Sequence, residues 1–350
     1  MTVSPAITAP LATLLAAAED IVVVPDLVWW HWLVFGILIV VLLALDLFVF
    51  HRDLHEPTLR ESAFWTVVWC SVAMAFNGFV WYWRGAEAGI EFLTGYLVEW
   101  SLSMDNVFVF AVIFSFFRVP KRYQYRVLFW GIIGAILMRL TFVLLGVTLL
   151  HYADWMLWIF GIFLIYTGIK LALHDETEVE PDKNILMRIA KRLFPVARGD
   201  YGERFFVIEN GRRAITPLFL VLLVVESTDV LFAVDSVPAI FGVTKDPFIV
   251  FTSNIFAILG LRALYFLLAG VMDLFRYLNY GLSAVLIFVG IKMVADYWAH
   301  DYIEQIPHPH VVSLLVIIIL LGTSIVASLV AARRDPVVTP DDAAGAGEPR

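Results

Sequence analysis

Glu99-Trp100-Ser101-Leu102-Ser103-Met104-Asp105-Asn106 and Val225-Glu226-Ser227-Thr228-Asp229-Val230-Leu231-Phe232-Ala233-Val234-Asp235-Ser236 are acidic stretches set inside apolar runs long enough to cross a bilayer. Their acids share one spacing, Glu99-x5-Asp105 and Asp229-x5-Asp235, with Glu226 just before the second pair. A charged side chain at the bilayer centre costs about 2.5–3.5 kcal/mol even on lenient insertion scales. Five carboxylates in two spans therefore require compensation, and a bound cation is the expected source of it.

The surrounding composition agrees with a membrane setting. The 350-residue chain is 61% hydrophobic and 16% charged, with a mean hydropathy of +0.84. Soluble domains are nearer half apolar and a quarter charged. Apolar runs of about 20 residues alternate with charged clusters, the pattern of an all-α polytopic membrane protein. Trp29, Trp30, Trp32, Trp81 and Trp83 fall at predicted span ends, where indole rings favour the headgroup level. Cys70 is the single cysteine and lies in an apolar span, which excludes an intrachain disulfide or a thiolate metal cluster. No Lys or Arg precedes Arg52, and Glu19 and Asp20 interrupt the first apolar stretch, so no cleavable secretion signal is expected.

Nine spans are predicted, at 28–50, 62–83, 88–117, 124–150, 153–173, 215–240, 247–271, 277–297 and 311–332. With the N-terminus outside, all but five of the 24 Lys and Arg residues fall in inside segments. The five are Arg84 and Lys245 in outside loops, and Arg139, Arg262 and Lys292 within spans. The positive-inside rule then predicts an inner-membrane, multi-pass protein with a cytoplasmic C-terminus. Because the basic residues sort by membrane side, the net charge of −8 carries no argument for a nucleic-acid partner. Residues 1–27 form an external extension, 28–332 one transmembrane domain, and 333–350, rich in Pro and Gly, a disordered tail.

The one long loop, 174–214, opens with acids from Asp175 to Asp182. A predicted amphipathic helix follows, with Ile185, Leu186, Ile189, Leu193 and Phe194 on one side and Arg188, Lys191 and Arg192 elsewhere. Asn210-Gly211 between Phe205–Glu209 and Arg212–Ile215 signals a hairpin. A connector lying on the headgroups accounts for such a loop, with a regulatory domain as the alternative.

The two acidic stretches anchor an internal repeat. Ala135-Ile136-Leu137-x-Arg139 corresponds to Ala257-Ile258-Leu259-x-x-Arg262, and Gly168-Ile169-Lys170 to Gly290-Ile291-Lys292. Spans three to five and six to eight thus read as two copies of one three-helix unit. Three is odd, so the copies enter the membrane from opposite sides, as in alternating-access transporters with midplane sites.

At 100° per residue, Glu99, Ser103 and Asn106 share a helical face, while Asp105 lies about 120° from Glu99. Glu226 and Asp229 sit within about 60°, with Asp235 opposite Glu226. Intact helices do not aim all five acids at one point. Pro238 cannot donate to the Val234 carbonyl, which predicts a helix opened around 234–238 with backbone carbonyls freed as ligands. The donors in reach are carboxylates, the Asn106 amide and the hydroxyls of Ser103, Ser227, Thr228 and Ser236, an oxygen set for Mg²⁺, Ca²⁺ or Mn²⁺. Of the eight His only His31 touches a span, which disfavours an imidazole-built zinc, copper or nickel site. Met104 offers a soft sulfur that would favour Mn²⁺, with plain packing as the other reading. Arg139 and Arg262 are expected to balance part of the acidic charge. The rival view makes acids and arginines static ion pairs, but the acids outnumber the bases.

Asp46, at the inner end of the first span, reads as a gate ligand or a snorkelling interfacial acid. Asn77 reads as an interhelical hydrogen bond. His300, His308 and His310 crowd one loop with Asp296, Asp301 and Glu304, either handing off metal or lying solvated.

Taken together, Glu99-Trp100-Ser101-Leu102-Ser103-x-Asp105-Asn106 and Val225-Glu226-x-x-Asp229-x-x-Phe232-Ala233-x-Asp235-Ser236-x-Pro238-Ala239-Ile240 resemble the TerC family over about residues 28–332. That family is named for tellurium resistance and includes bacterial manganese exporters. The resemblance implies an inner-membrane protein of roughly nine helices that exports Mn²⁺. It implies metal ligation by Glu99, Asp105, Asn106, Glu226, Asp229 and Asp235, with Ser103, Ser236, Arg139, Arg262 and Asp46 in support. Some relatives are linked to tellurite and stress resistance or to metal loading of secreted enzymes.

The expected function is therefore divalent-cation transport, Mn²⁺ favoured, without a resident cofactor. The alternatives are a Ca²⁺ or other cation/proton antiporter, or a membrane scaffold acting through 174–214. A membrane protease would need Gly-x-Gly-Asp or His-Glu-x-x-His, and neither occurs, so no enzyme and no catalytic residue is expected.

Overall fold

Helix boundaries follow local chemistry along the chain. The computed structural model describes residues 28–46, 58–173, 184–269, 277–298 and 308–334, apart from positions 154, 198, 200 and 210. Its elements are α1 (Trp29–Leu45), α2 (Leu59–Arg84), α3 (Ala86–Phe116), α4 (Lys121–Tyr152), α5 (Met156–Leu173), α6 (Ile185–Leu193), β1 (Phe206–Glu209), β2 (Arg212–Ile215), α7 (Pro217–Phe241), α8 (Pro247–Leu259), α9 (Leu261–Leu268), α10 (Leu278–Trp298) and α11 (Pro309–Arg334). Thr58, Thr216 and Asp246 cap α2, α7 and α8 by accepting first-turn backbone N–H groups, and Pro217 and Pro247 occupy first helical positions. Gly85 alone joins α2 to α3 with φ of +94°, a conformation that a side chain would strain.

The architecture is all-α apart from the β1–β2 hairpin. Among the described residues seven helices are long and apolar enough to cross a membrane, and α8 with α9 makes an eighth if the pair is one span bent by 43°. The 17-residue α1 is shorter and reaches only Asp46; 47–50, the rest of the predicted first span, lie outside the described residues. So do the 1–27 extension, 335–350 of the tail, the 175–182 acids, Asn210, and the loop bearing His300, Asp301 and Glu304.

Two expectations about backbone breaks are corrected. α7 runs without interruption through Pro238, so no opened turn at 234–238 frees carbonyls. Proline removes only one donor here, and the helix ends three residues later at Phe241, so the loss is confined to the final turn. The break lies instead at Gly260, between α8 and α9, in a span predicted to be continuous.

The hairpin forms as expected, with Phe206 opposite Ile215 and Glu209 opposite Arg212, and Gly211 at φ +74° in the turn. On α6 the predicted apolar side is real but faces outward: Ile185, Leu186, Ile189 and Leu193 are exposed, while Met187 and Ala190 are buried toward α7. An exposed apolar face flanked by Arg188, Lys191 and Arg192 suits a headgroup surface.

Within the bundle, α3 is central and packs against α2, α7, α8 and α11. Every residue of α8 is buried. By contrast Leu137, Leu144 and Leu145 of α4, Ile162 and Ile169 of α5, and Leu315, Ile318 and Ile319 of α11 point outward, as lipid-facing side chains do. Close approach of helices rests on glycine. A Cβ on Gly290 would lie 2.6 Å from the Gly161 carbonyl oxygen, and one on Gly161 would lie 2.8 Å from that of Gly290. One turn pair further along, Ser283 donates through Oγ to the Gly168 carbonyl. In lipid, where burial drives little helix association, such backbone proximity is what holds α5 to α10.

Gly290→Val should therefore separate α5 from α10 and lower stability by about 1–3 kcal/mol, read as thermal unfolding in detergent. Gly78→Ala, where a Cβ would meet nothing within 4 Å, should leave the melting temperature unchanged or slightly raised.

Candidate functional site

At the centre of the bundle lies Arg139 of α4, 1% exposed. Its guanidinium holds Glu99 of α3 through two contacts, Nη2 to Oε1 at 2.7 Å and Nη1 to Oε2 at 2.8 Å. Nη1 also donates to Oδ1 of Asn254 on α8 at 2.6 Å. Asn254 in turn donates its amide to the Val250 carbonyl at 2.8 Å. This fork geometry matches a carboxylate bidentately, which makes the buried pair tolerable in low dielectric.

Asp229 of α7 lies within electrostatic range of both Arg139 and Glu99, and its Oδ2 is buried without a hydrogen-bond partner. Glu226, three residues earlier, is within range of Asp229. Its carboxylate rests on Gly134 of α4, where a Cβ would come within 2.1 Å of Oε2. The missing side chain is what gives Glu226 room.

The second pair is separate. Asp105 of α3 and Asp235 of α7 lie within electrostatic range of each other. Thr167 of α5 donates to Asp235 Oδ1 at 3.4 Å, and Lys170, one turn on, supplies positive charge nearby. Six residues of helix separate the acids of each span, about 9 Å along each axis. The structure thus resolves the geometric difficulty posed by intact helices: the carboxylates form two groups, Glu99–Asp229–Glu226 and Asp105–Asp235, rather than converging at one point.

The remaining predicted residues divide clearly. Asn106, Ser103 and Ser236 are buried, and the hydroxyls of Ser101, Ser103 and Ser236 lack hydrogen-bond partners among the described residues. Such orphaned oxygens in a core demand a ligand or water. Ser227 and Thr228 instead donate to the Val224 and Val225 carbonyls, and Ser227 also accepts from the Asn184 amide. Met104 packs in the apolar core. Arg262 does not join the acidic groups: it forms a buried ion pair with Asp46 and lies over the Tyr125 ring at 4.0 Å. Asp46 is accordingly neither exposed at the interface nor part of the site. The Asn77 carbonyl oxygen is buried without the expected hydrogen bond.

Sequence reasoning missed Asn254 and Thr167. Asn254 is the sole Asn in the predicted seventh span, and Thr167-x2-Lys170 places two polar groups on one face near a span end. Those are the signals that could have found them.

These helices and buried charges define an integral, multi-pass membrane protein. The chain belongs to the integral membrane protein TerC family, whose sequence profile matches residues 84–336. It is 50% identical over 310 residues to "Uncharacterized membrane protein STKORF319" of Myxococcus xanthus, covering 89% of this chain and 95% of that one. It is 46% identical over 277 residues to "Putative membrane-bound redox modulator Alx" of Escherichia coli K12, covering 76% and 86%. A membrane protein of Rickettsia bellii is 39% identical over 299 residues, covering 85% and 97%. No solved structure matches.

Arg139→Gln should leave Glu99 buried without its partner and lower stability by about 3–5 kcal/mol. Adding Glu99→Gln should recover a large part of that loss in a double-mutant cycle of detergent melts.

Proposed function

We propose that this protein is a divalent-cation transporter rather than an enzyme, with Mn²⁺ its favoured substrate, carried by the carboxylates of α3 and α7. The observation that carries this reading is the pairing of acids across two helices. Asp105 lies within electrostatic range of Asp235, and Asp229 within range of Glu226 and of the already neutralised Glu99–Arg139 pair. Among the described residues none of these four acids has an ion-pair partner within 4.0 Å. Buried like charges within range of one another do not all ionise without a counter-ion, so a divalent cation and protons become natural alternatives in the same space. The all-oxygen donor set suits hard ions, and Mn²⁺ over Ca²⁺ or Mg²⁺ follows from family resemblance.

Alternating access between inverted halves is supported by the α5–α10 contact. In the repeat register Gly161 is equivalent to Ser283, and Gly168 to Gly290. The contacts run Gly161 to Gly290 and Gly168 to Ser283. Each position touches the counterpart of the other, as a two-fold axis between equivalent helices requires. Export as the direction, with the N-terminus outside, rests on the resemblance and the positive-inside pattern. A thiol-based redox role has no support in the chain, because Cys70 has no second cysteine to pair with.

The deciding experiment is metal flux into proteoliposomes across Mn²⁺, Ca²⁺, Mg²⁺ and Zn²⁺. Wild type should carry Mn²⁺, and Asp105→Asn and Asp235→Asn should each abolish flux without loss of folded protein; undiminished flux in both would reject the site. Gly134→Ala should push the Glu226 carboxylate aside and reduce flux. The same change should leave the melting temperature unchanged or raised, since Ala favours the helix by roughly 1 kcal/mol.

A further inference from the structure

At one end of the bundle, well away from Asp105 and Asp235, Glu87 and Glu91 lie four residues apart on one face near the start of α3. His310, in the first turn of α11, sits between them. Its Nε2 is 3.1 Å from Glu87 Oε1, and its Nδ1 is 3.4 Å from Glu91 Oε1. We propose that Glu87, Glu91 and His310 form a second divalent-cation site, of mixed carboxylate and imidazole donors, at the end of the bundle where α3 and α11 begin.

Three observations carry this site. Each of the three residues offers one ligand atom, and these atoms lie within 4.8 Å of one another. That spacing needs only a small contraction to surround an ion bound at about 2.0–2.2 Å. The His310 Nδ1 is buried and, although 3.4 Å from Glu91 Oε1, makes no hydrogen bond among the described residues. Thr244 donates to Glu91 Oε2 at 2.7 Å, which orients that carboxylate and leaves Oε1 facing the imidazole. Outer hydrogen bonds of this kind fix ligating carboxylates in metal centres.

The charge balance also fits. Lys292 of α10 lies within electrostatic range of Glu91 and Asp296, and its Nζ donates to the Gly242 carbonyl at 3.1 Å. With His310 neutral, Glu87, Glu91 and Asp296 against Lys292 leave two negative charges for a divalent ion to neutralise. Neighbouring Asp246 is already engaged by Arg84 and by capping α8, so it stands apart.

Exposure grades inward: the Glu87 side chain is 75% exposed, His310 28% and Glu91 15%. Three protein ligands leave coordination positions open to water, which makes exchange fast and suits capture or release rather than a structural role. The imidazole changes selectivity as well. The oxygen-only groups between α3 and α7 suit Ca²⁺, Mg²⁺ and Mn²⁺, whereas an imidazole donor tilts the outer cluster toward transition metals such as Fe²⁺ and Zn²⁺, with its two carboxylates still admitting Mn²⁺. Glu91 precedes Glu99 by eight residues of α3, about 12 Å. A transition-metal ion held here is therefore within a short step of the central carboxylates.

The test uses untagged, full-length protein in detergent with Mn²⁺ alone as probe, read by equilibrium binding and by pulsed electron paramagnetic resonance for ¹⁴N coupling. Wild type should bind Mn²⁺ with imidazole coupling. The coupling should persist in Asp105→Asn/Asp235→Asn and disappear in His310→Gln and in Glu87→Gln/Glu91→Gln, with one bound equivalent lost in each. Mn²⁺ bound without nitrogen coupling in wild type, or coupling that survives His310→Gln, overturns the proposal. So does a lowered melting temperature in His310→Gln with Mn²⁺ binding unchanged, since that identifies a static brace between α3 and α11. Flux can fail while this site binds, and binding here can fail while flux proceeds, so the two readings are separately decided.

Discussion

The cost of charge in hydrocarbon governs this structure, and Arg139 is where it is met. Its guanidinium ties α3, α4 and α8 together through Glu99 and Asn254 at the centre of the bundle. Removing either charge would strand the other, so the three helices are held in one relation by electrostatic necessity rather than by apolar burial. That relation in turn sets where α7 lies, because Asp229 is positioned against the same Arg139–Glu99 pair. A second buried pair, Arg262 with Asp46, performs the corresponding task between α9 and the end of α1. Each of these two arginines thus neutralises one acid, and the acids left over are those of α3 and α7.

Glycine supplies what the ion pairs cannot, which is proximity. Gly134 admits the Glu226 carboxylate, and Gly161 and Gly290 bring α5 and α10 to backbone contact. In water such contacts would be minor beside apolar burial; among lipids, where the outward Leu and Ile faces gain nothing from helix association, they decide which helices touch. The apolar exterior and the polar interior are therefore read by different rules. Lipid-facing positions tolerate any large apolar side chain, and interior positions tolerate almost none.

The outer cluster of Glu87, Glu91 and His310 belongs to the same economy of charge but at the surface. There water shares the compensation, so a histidine and two glutamates can meet without an arginine. The contrast in donors, oxygen alone within the bundle and oxygen with nitrogen at its end, separates two polar clusters along a single helix, α3.

Apolar run lengths and charge sorting were enough to place most helices, because local hydropathy and backbone satisfaction act within a few residues of chain. The Asn-Gly turn was legible for the same reason. The acidic spacing showed that carboxylates lie in two spans, but not how they group, since helical phase on one helix says nothing about its partner. Pro238 misled because a missing donor in a last turn need not open a helix, whereas Gly260, silent in the sequence, marks the actual bend. Arg139 and Arg262 looked equivalent along the chain, yet only the packing of α1 against the bundle assigns Asp46 to one of them and leaves the other for Glu99. Sequence by itself determined which residues must be compensated; tertiary structure decided by whom, because pairing charges across helices depends on three-dimensional distance and low dielectric, neither of which is written in the order of residues.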